Sequence, residues 1–218
     1  RYDGIEKLLV DYSFDYSDMT TGPGYFQYGG PVGGLSPAFQ PITDSFTSRL
    51  KETRTPTGGG KFAYYLPDTK TKVYGHNLTI SYEINDHLSL KSITGYRNLD
   101  DDASQNFTES FGNAGSLEVN TITKHEQFTQ ELQLLGSSDD ARLNWILGAY
   151  YFDESGDNVN TLDFTVSNFR SGGEFDNTST ALFGQVSYDF TEALSITLGL
   201  RYTDEEKSFL PDQVILEN

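Results

Sequence analysis

Residues 181–207 contain two runs of alternating apolar and polar side chains, joined by Thr191-Glu192-Ala193. In the second run Leu194, Ile196, Leu198, Leu200 and Tyr202 fall on one face, and Ser195, Thr197, Gly199, Arg201 and Thr203 on the other. A period of two predicts strands with one greasy and one wet side. The wet side is small and hydroxylic, which suits a water-filled lumen better than a packed core, and such a strand can present its other side to lipid. The same pattern predicts about seven strands, over 6–17, 72–84, 88–99, 122–135, 142–153, 180–190 and 194–205.

The connections carry as much information as the strands. Asn85-Asp86-His87, Ser137-Ser138-Asp139-Asp140 and Thr191-Glu192-Ala193 are short polar turns. They alternate with long stretches expected to be outward loops, at about 18–71, 100–121 and 154–179. Short turns at one end and long loops at the other are the layout of an outer-membrane barrel, and a soluble sandwich has no reason to segregate loop length. A weak repeat places a Gly and a Tyr after each short turn: Leu88…Gly95-Tyr96, Leu143…Gly148…Tyr151 and Leu194…Gly199…Tyr202. Eight residues of tilted strand climb roughly 20 Å, close to the apolar band of such barrels. Tyr96, Tyr151 and Tyr202 are therefore expected in the outer aromatic girdle, with Tyr188 and Phe190 in the inner one. The fit has exceptions. Ile93, Ile146, Tyr150 and Phe152 fall on the expected lumen face and Gln130 on the lipid face, which calls for a register-shifting bulge or a partly filled lumen.

Composition narrows the class. Only 36% of the 218 residues are apolar, while 14% are aromatic, with 14 Tyr, 15 Phe and 21 Gly. This favours strands and turns over helices. Mean hydropathy is −0.50, and no window offers the roughly 18 apolar residues of a membrane helix. The formal charge of −17 opposes nucleic-acid binding. It suits solubility, or divalent-cation bridging at a cell surface. There are no cysteines, which speaks weakly against a secreted disulfide-bearing domain.

Ser92-Ile93-Thr94-Gly95-Tyr96-Arg97, Phe128-Thr129-Gln130-Glu131-Leu132-Gln133-Leu134, residues 143–152 (LNWILGAYYF) and Gly199-Leu200-Arg201-Tyr202-Thr203 resemble the middle barrel strands of TonB-dependent outer-membrane receptors. The resemblance covers roughly 4–209. It implies an all-β, antiparallel up-and-down sheet forming part of a transmembrane β-barrel across 1–218. In that family a plug fills a barrel of about 22 strands. No stretch here matches the plug, the segment that contacts TonB or the terminal aromatic strand, so the chain is expected to be an incomplete barrel wall. About seven strands do not close a water-filled barrel. The implied function is active-transport reception in the bacterial cell outer membrane, with TonB-energised import of a scarce nutrient. An iron–siderophore complex is the commonest cargo of the family. The implied partners are outer-membrane lipid and lipopolysaccharide, the nutrient (an iron chelate), and the TonB complex through absent N-terminal parts. The competing expectation is a soluble secreted β-sandwich that binds carbohydrate through loop aromatics. A small closed adhesion barrel fits an odd strand count poorly.

Candidate chemistry is sparse. His76, His87 and His125 lack paired ligand spacing, so no metal site is expected. Asp100-Asp101-Asp102 lacks the remaining spacing of a calcium loop and reads as a solvated acidic run. The glycine clusters lack phosphate-loop spacing, and no G-x-S-x-G occurs. Neither catalysis nor a cofactor is expected. Ligand contact is assigned to Tyr25, Phe26, Tyr28, Tyr64 and Tyr65 of the first long loop, where aromatics can stack on a ligand or pack the loop itself. It is also assigned to Arg97 and Arg201, whose guanidinium groups suit anionic oxygens but can instead pair with lumen acids such as Glu131.

Overall fold

The computed structural model describes residues 2–22, 24–25, 67–106, 117–164 and 167–216. They form β1 (Tyr2–Ile5), β2 (Leu8–Thr21), β3 (Gly24–Tyr25), β4 (Thr69–Asn85), β5 (Leu88–Asn106), β6 (Leu117–Ser137), β7 (Leu143–Phe164), β8 (Ser167–Thr191) and β9 (Leu194–Leu216). One sheet contains them all. Its order is β1-β2-β4-β5-β6-β7-β8-β9, with β3 added in parallel to the outer end of β5. Sequential antiparallel pairing makes this an up-and-down wall that does not close on itself.

Direct cross-strand partners share a face, so the register defines two sides. One carries Leu8, Tyr12, Phe14, Ile80, Leu90, Phe128, Leu132, Leu147, Tyr151, Leu182 and the Leu194–Tyr202 series. Apart from half-buried Leu8 and Ile80 these side chains are exposed: Leu198 retains 66% of its surface and Leu200 82%. Among the described residues the only buried hydrophobic is Ala181, and the largest fully buried side chain is Ser104. Among the described residues the wall has no apolar interior and no second sheet packs over its greasy side. The sandwich expectation is therefore replaced by a single layer whose apolar face needs hydrocarbon to cover it. Trp145 lies on this face opposite Gly136 and Val186. Its emission in lipid vesicles is expected to be strongly quenched by brominated acyl chains; unchanged emission would place the ring away from hydrocarbon.

The short turns are built from side chains. At the β6–β7 turn the Ser138 hydroxyl donates to Asp140 Oδ1 at 2.6 Å and accepts from the Leu143 amide at 3.0 Å. Ala141 takes a left-handed φ of 56°. These contacts hold the Asp140 carboxyl below its usual range, the Ser138 hydrogen bond being the main cause and the Arg142 amide the next. Asn85 Oδ1 accepts from the His87 amide at 2.9 Å, and Thr191 Oγ1 from the Ala193 amide at 3.2 Å. Both are local turns closed by a side chain.

The strands run beyond their expected ends. β7 continues to Phe164 and β8 starts at Ser167, so 154–164 and 167–179, expected as loop, are paired strand. β5 reaches Asn106 and β6 begins at Leu117, so 100–106 and 117–121, expected as loop, are strand. β2 reaches Thr21 and β4 begins at Thr69. A spanning strand needs only about 9–11 residues, whereas β8 has 25. The excess projects past the apolar band, where alternation fades because both faces are polar.

Glycine–aromatic pairs help fix the register. Each ring lies where a glycine's missing Cβ would be. Trp145 covers Gly136, Phe183 covers Gly148, Phe175 covers Gly156 and Phe209 covers Gly173. A ring over a glycine supplies the packing that the absent side chain cannot. This accounts for Phe175, Phe183 and Phe209 on the wet face. No register shift occurs along β5–β6, β6–β7 or β7–β8, so a bulge does not explain Ile93, Ile146, Tyr150 or Phe152. They stay on the inner side of a regular ladder. Gln130 stays on the apolar face, where it accepts from Thr94 Oγ1 at 2.6 Å and donates to Ser92 Oγ at 3.0 Å. A polar group next to hydrocarbon is tolerated when its hydrogen bonds close locally.

Candidate ligand-facing wall

The inner face carries a cross-strand row that runs Asp15, Gly75, Arg97, Gln127, Glu154, Asn177, Lys207. Gly75 lets the Asp15 carboxylate lie across it, since a Cβ there would sit 2.7 Å from Oδ1. Arg97 reaches the same carboxylate at 3.7 Å. Both side chains are more than half exposed, so the pair contributes little to stability. Further along the row, His125 Nε2 and Glu154 Oε1 are 2.7 Å apart, and Asn177 Nδ2 donates to Glu154 Oε2 at 3.3 Å. The His125 hydrogen bond is the main reason that the Glu154 carboxyl is held below its usual range. The His125 ring also stacks on Phe175, with centroids 5.9 Å apart and planes at 23°.

Arg201 has different surroundings. Its guanidinium carbon lies 5.3 Å from the Tyr150 ring centroid and 5.7 Å from that of Phe183, and Nε donates to Thr203 Oγ1 at 3.1 Å. No carboxylate lies within ion-pairing distance of it among the described residues. Glu131, the acid expected to pair with such an arginine, instead accepts from Gln133 Nε2. The structure thus separates the two arginines. One rests on an acid; the other is held by two rings, each contact being worth about 0.5–2 kcal/mol.

Tyr25 is placed by its backbone alone, in β3 beside Asn106 of β5. Phe26, Tyr28, Tyr64 and Tyr65 lie outside the described residues. On the apolar face, Tyr96 is opposite His76 and Phe128, and Tyr151 is 6.3 Å from Phe128 between centroids. Tyr202 is opposite Leu182. Tyr188 and Phe190 meet edge to face at 4.8 Å near the β8–β9 turn. These rings and those of Phe14 and Tyr74 lie on one face near the limits of the apolar side chains. His76 joins this aromatic series. Its ring is 4.9 Å from Phe14, and its Nδ1 is 2.7 Å from the Tyr12 hydroxyl. The signal was available in the sequence, because His76 keeps the parity of Tyr74 and Leu78.

Beyond the aromatic limit, Glu118 on β6 lies directly opposite Asp163 on β7. Burial first, and repulsion from Asp163 second, push its carboxyl up to about 7. The folded state therefore favours the neutral acid. That contribution is complete below the unfolded carboxyl pKa of about 4.3 and is lost as pH rises through about 7. The unfolding midpoint is expected to fall between pH 5 and pH 8, and Glu118→Gln to reduce that fall when both proteins are followed by circular dichroism. An identical pH response in the variant would count against the assignment.

Among the described residues no group of three or more His, Cys, Asp or Glu side chains is arranged to hold a metal ion. With the wall described, the comparisons define its class. A family model described as "TonB dependent receptor-like, beta-barrel" matches residues 8–213. The chain belongs to this family of transport receptors, which resides in the bacterial outer membrane. Among solved structures it is similar to the ferric yersiniabactin uptake receptor FyuA from Yersinia pestis, at 17% identity and a TM-score of 0.52. That match covers 68% of this chain and 25% of the receptor. At this identity the likeness shows the fold, and the chain spans about a quarter of the receptor's length. A comparison with curated protein sequences finds no match.

Proposed function

We propose that this chain supplies part of the barrel wall and outward hairpins of an active-transport receptor in the bacterial outer membrane. The receptor captures a scarce nutrient, an iron–siderophore complex, and imports it with energy delivered through TonB. The carrying observation is the one-layer wall itself. Its apolar side is bare, and its inner side is lined by hydroxyls, amides, charges and rings. FyuA, described as a ferric yersiniabactin uptake receptor, lends support to the iron-chelate class. In this reading Tyr25, Phe26, Tyr28, Tyr64, Tyr65, Arg97 and Arg201 contact the ligand from the first long loop and the inner wall. Tyr96, Tyr151 and Tyr202 mark the outer membrane boundary, and Tyr188 and Phe190 the inner one. Lipopolysaccharide covers the outer side above that boundary. The wall itself performs no bond chemistry.

The test is uptake of radiolabelled iron, supplied as defined chelates, in cells with and without the receptor gene and with and without TonB. Uptake of at least one chelate is expected to need both. Uptake of every chelate at the same rate without the receptor would remove the proposal.

A further inference from the structure

The projecting part of the sheet distributes charge unequally between its faces. From the row of His125, Gly156, Phe175 and Phe209 outward, the described inner-face side chains of β6–β9 include no Asp, Glu, Lys or Arg; on neighbouring β5 the Asp101 carboxylate lies opposite Thr123 and accepts from Thr71 Oγ1. The outer face of the same part of β6–β9 holds Glu118, Asp157, Asp163, Glu174 and Asp212, against Lys124 and Arg170. In place of charge, the inner face carries an amide–hydroxyl chain. Thr121 Oγ1 donates to Asn160 Oδ1 at 2.8 Å, Asn160 Nδ2 to Asn158 Oδ1 at 2.6 Å, and Asn158 Nδ2 to Thr123 Oγ1 at 2.8 Å. Each Asn side chain uses one of its two N–H groups within this chain and keeps the other, and the Thr123 hydroxyl hydrogen also remains to donate.

An aromatic surface adjoins the amides. Asn158 lies opposite Gly173, and the Phe209 ring leans over Gly173 while keeping 64% of its surface exposed. The result is a strip of oriented neutral donors and acceptors beside a flat apolar ring.

We infer that this strip recognises an electrically neutral ligand bearing hydroxyl or amide groups, and that it disfavours anions. The inference rests on the receptor function proposed above and narrows its ligand class. Anion sites are built from guanidinium and ammonium groups, and the strip has none among the described residues. The acids on the far side of a single-layer sheet add negative potential, which repels an approaching anion. A neutral hydroxyl- or amide-bearing ligand pairs with the spare amide groups and lays its apolar side on Phe209.

The test is calorimetric titration of the intact receptor in detergent with three probes: an uncharged ferric tris-hydroxamate, a triply anionic ferric tris-catecholate, and neutral maltopentaose. The hydroxamate is expected to bind at least about tenfold more tightly than the catecholate. Asn158→Asp, which puts a carboxylate in the strip and removes its donors, is expected to weaken hydroxamate binding about tenfold. Phe209→Ala serves as an independent second variant with a smaller loss. Unchanged heat-modifiable gel mobility confirms that both variants fold. Catecholate binding as tight as hydroxamate binding, with neither substitution having an effect, would overturn the inference while leaving the iron-chelate receptor standing. Binding of maltopentaose alone, sensitive to Asn158→Asp, would support the neutral strip and remove the iron-chelate reading. Failure of all three probes to bind would overturn the inference.

Discussion

Leu198→Arg is expected to cost about 2–4 kcal/mol of folding free energy in lipid vesicles, whereas Thr197→Arg one position earlier is expected to cost much less. Leu198 is opposite Val186 on the apolar face and is 66% exposed. It lies about 10 Å above the β8–β9 turn, near the middle of the band. A guanidinium there meets hydrocarbon unless it snorkels, with no partner among its Leu, Ile and Val neighbours. Thr197 points the other way and shares a 2.9 Å hydroxyl contact with Ser187. Arginine at that site reaches aqueous lumen. Urea titration of the refolded receptor, read by gel mobility, measures both. Equal losses at the two positions would mean that the faces are not chemically distinct, and the membrane reading would go with them.

Gly172→Ala is expected to destabilise the β7–β8 hairpin by about 1–3 kcal/mol, the usual range for forcing atoms into a filled site. A Cβ at this position would sit 1.8 Å from the Asn158 carbonyl oxygen and 2.8 Å from its carbon. Both are backbone atoms, so no rotamer change relieves the contact, and the strands must separate locally. Gly199→Ala provides the control, since its nearest atom would be 3.7 Å away. Protease nicking between β7 and β8 is expected to accelerate in the first variant and not in the second. If Gly172→Ala leaves cleavage unchanged, the close approach of β7 and β8 at this point is not what holds the hairpin.

Legibility in the sequence followed the presence of lipid-facing residues. The strand pairs joined by short turns were readable because Leu, Ile, Tyr and Phe alternate with Ser, Thr and Gly, and because Asp, Asn and Ser close the turns. The projecting ends were not readable. From Asp153 to Phe164 and Ser167 to Asn177 both faces contact water, so selection for apolar alternation stops while backbone pairing continues. The reading as loop was an inference from lost pattern, not from any residue that breaks a strand.

Arg97 and Arg201 show a similar limit. Their parity put both on the inner face, and the register keeps them there. What each touches depends on its cross-strand neighbours. Asp15 reaches Arg97 across a glycine, while Phe183 and Tyr150 flank Arg201. Phe183 and Phe175 were legible as positions but not as partners of Gly148 and Gly156, because a glycine facing a ring is defined only once register is known.

By itself the sequence determined the strand periodicity, the turns and which side chains share a face, since these follow from local geometry and from the need of each strand to keep one side out of water. Tertiary structure decided where the strands end, which rings fill which glycine gaps, and how charge divides between the faces of the outer sheet. Those features arise between strands distant along the chain, where cross-strand distance and not sequence spacing sets the energy.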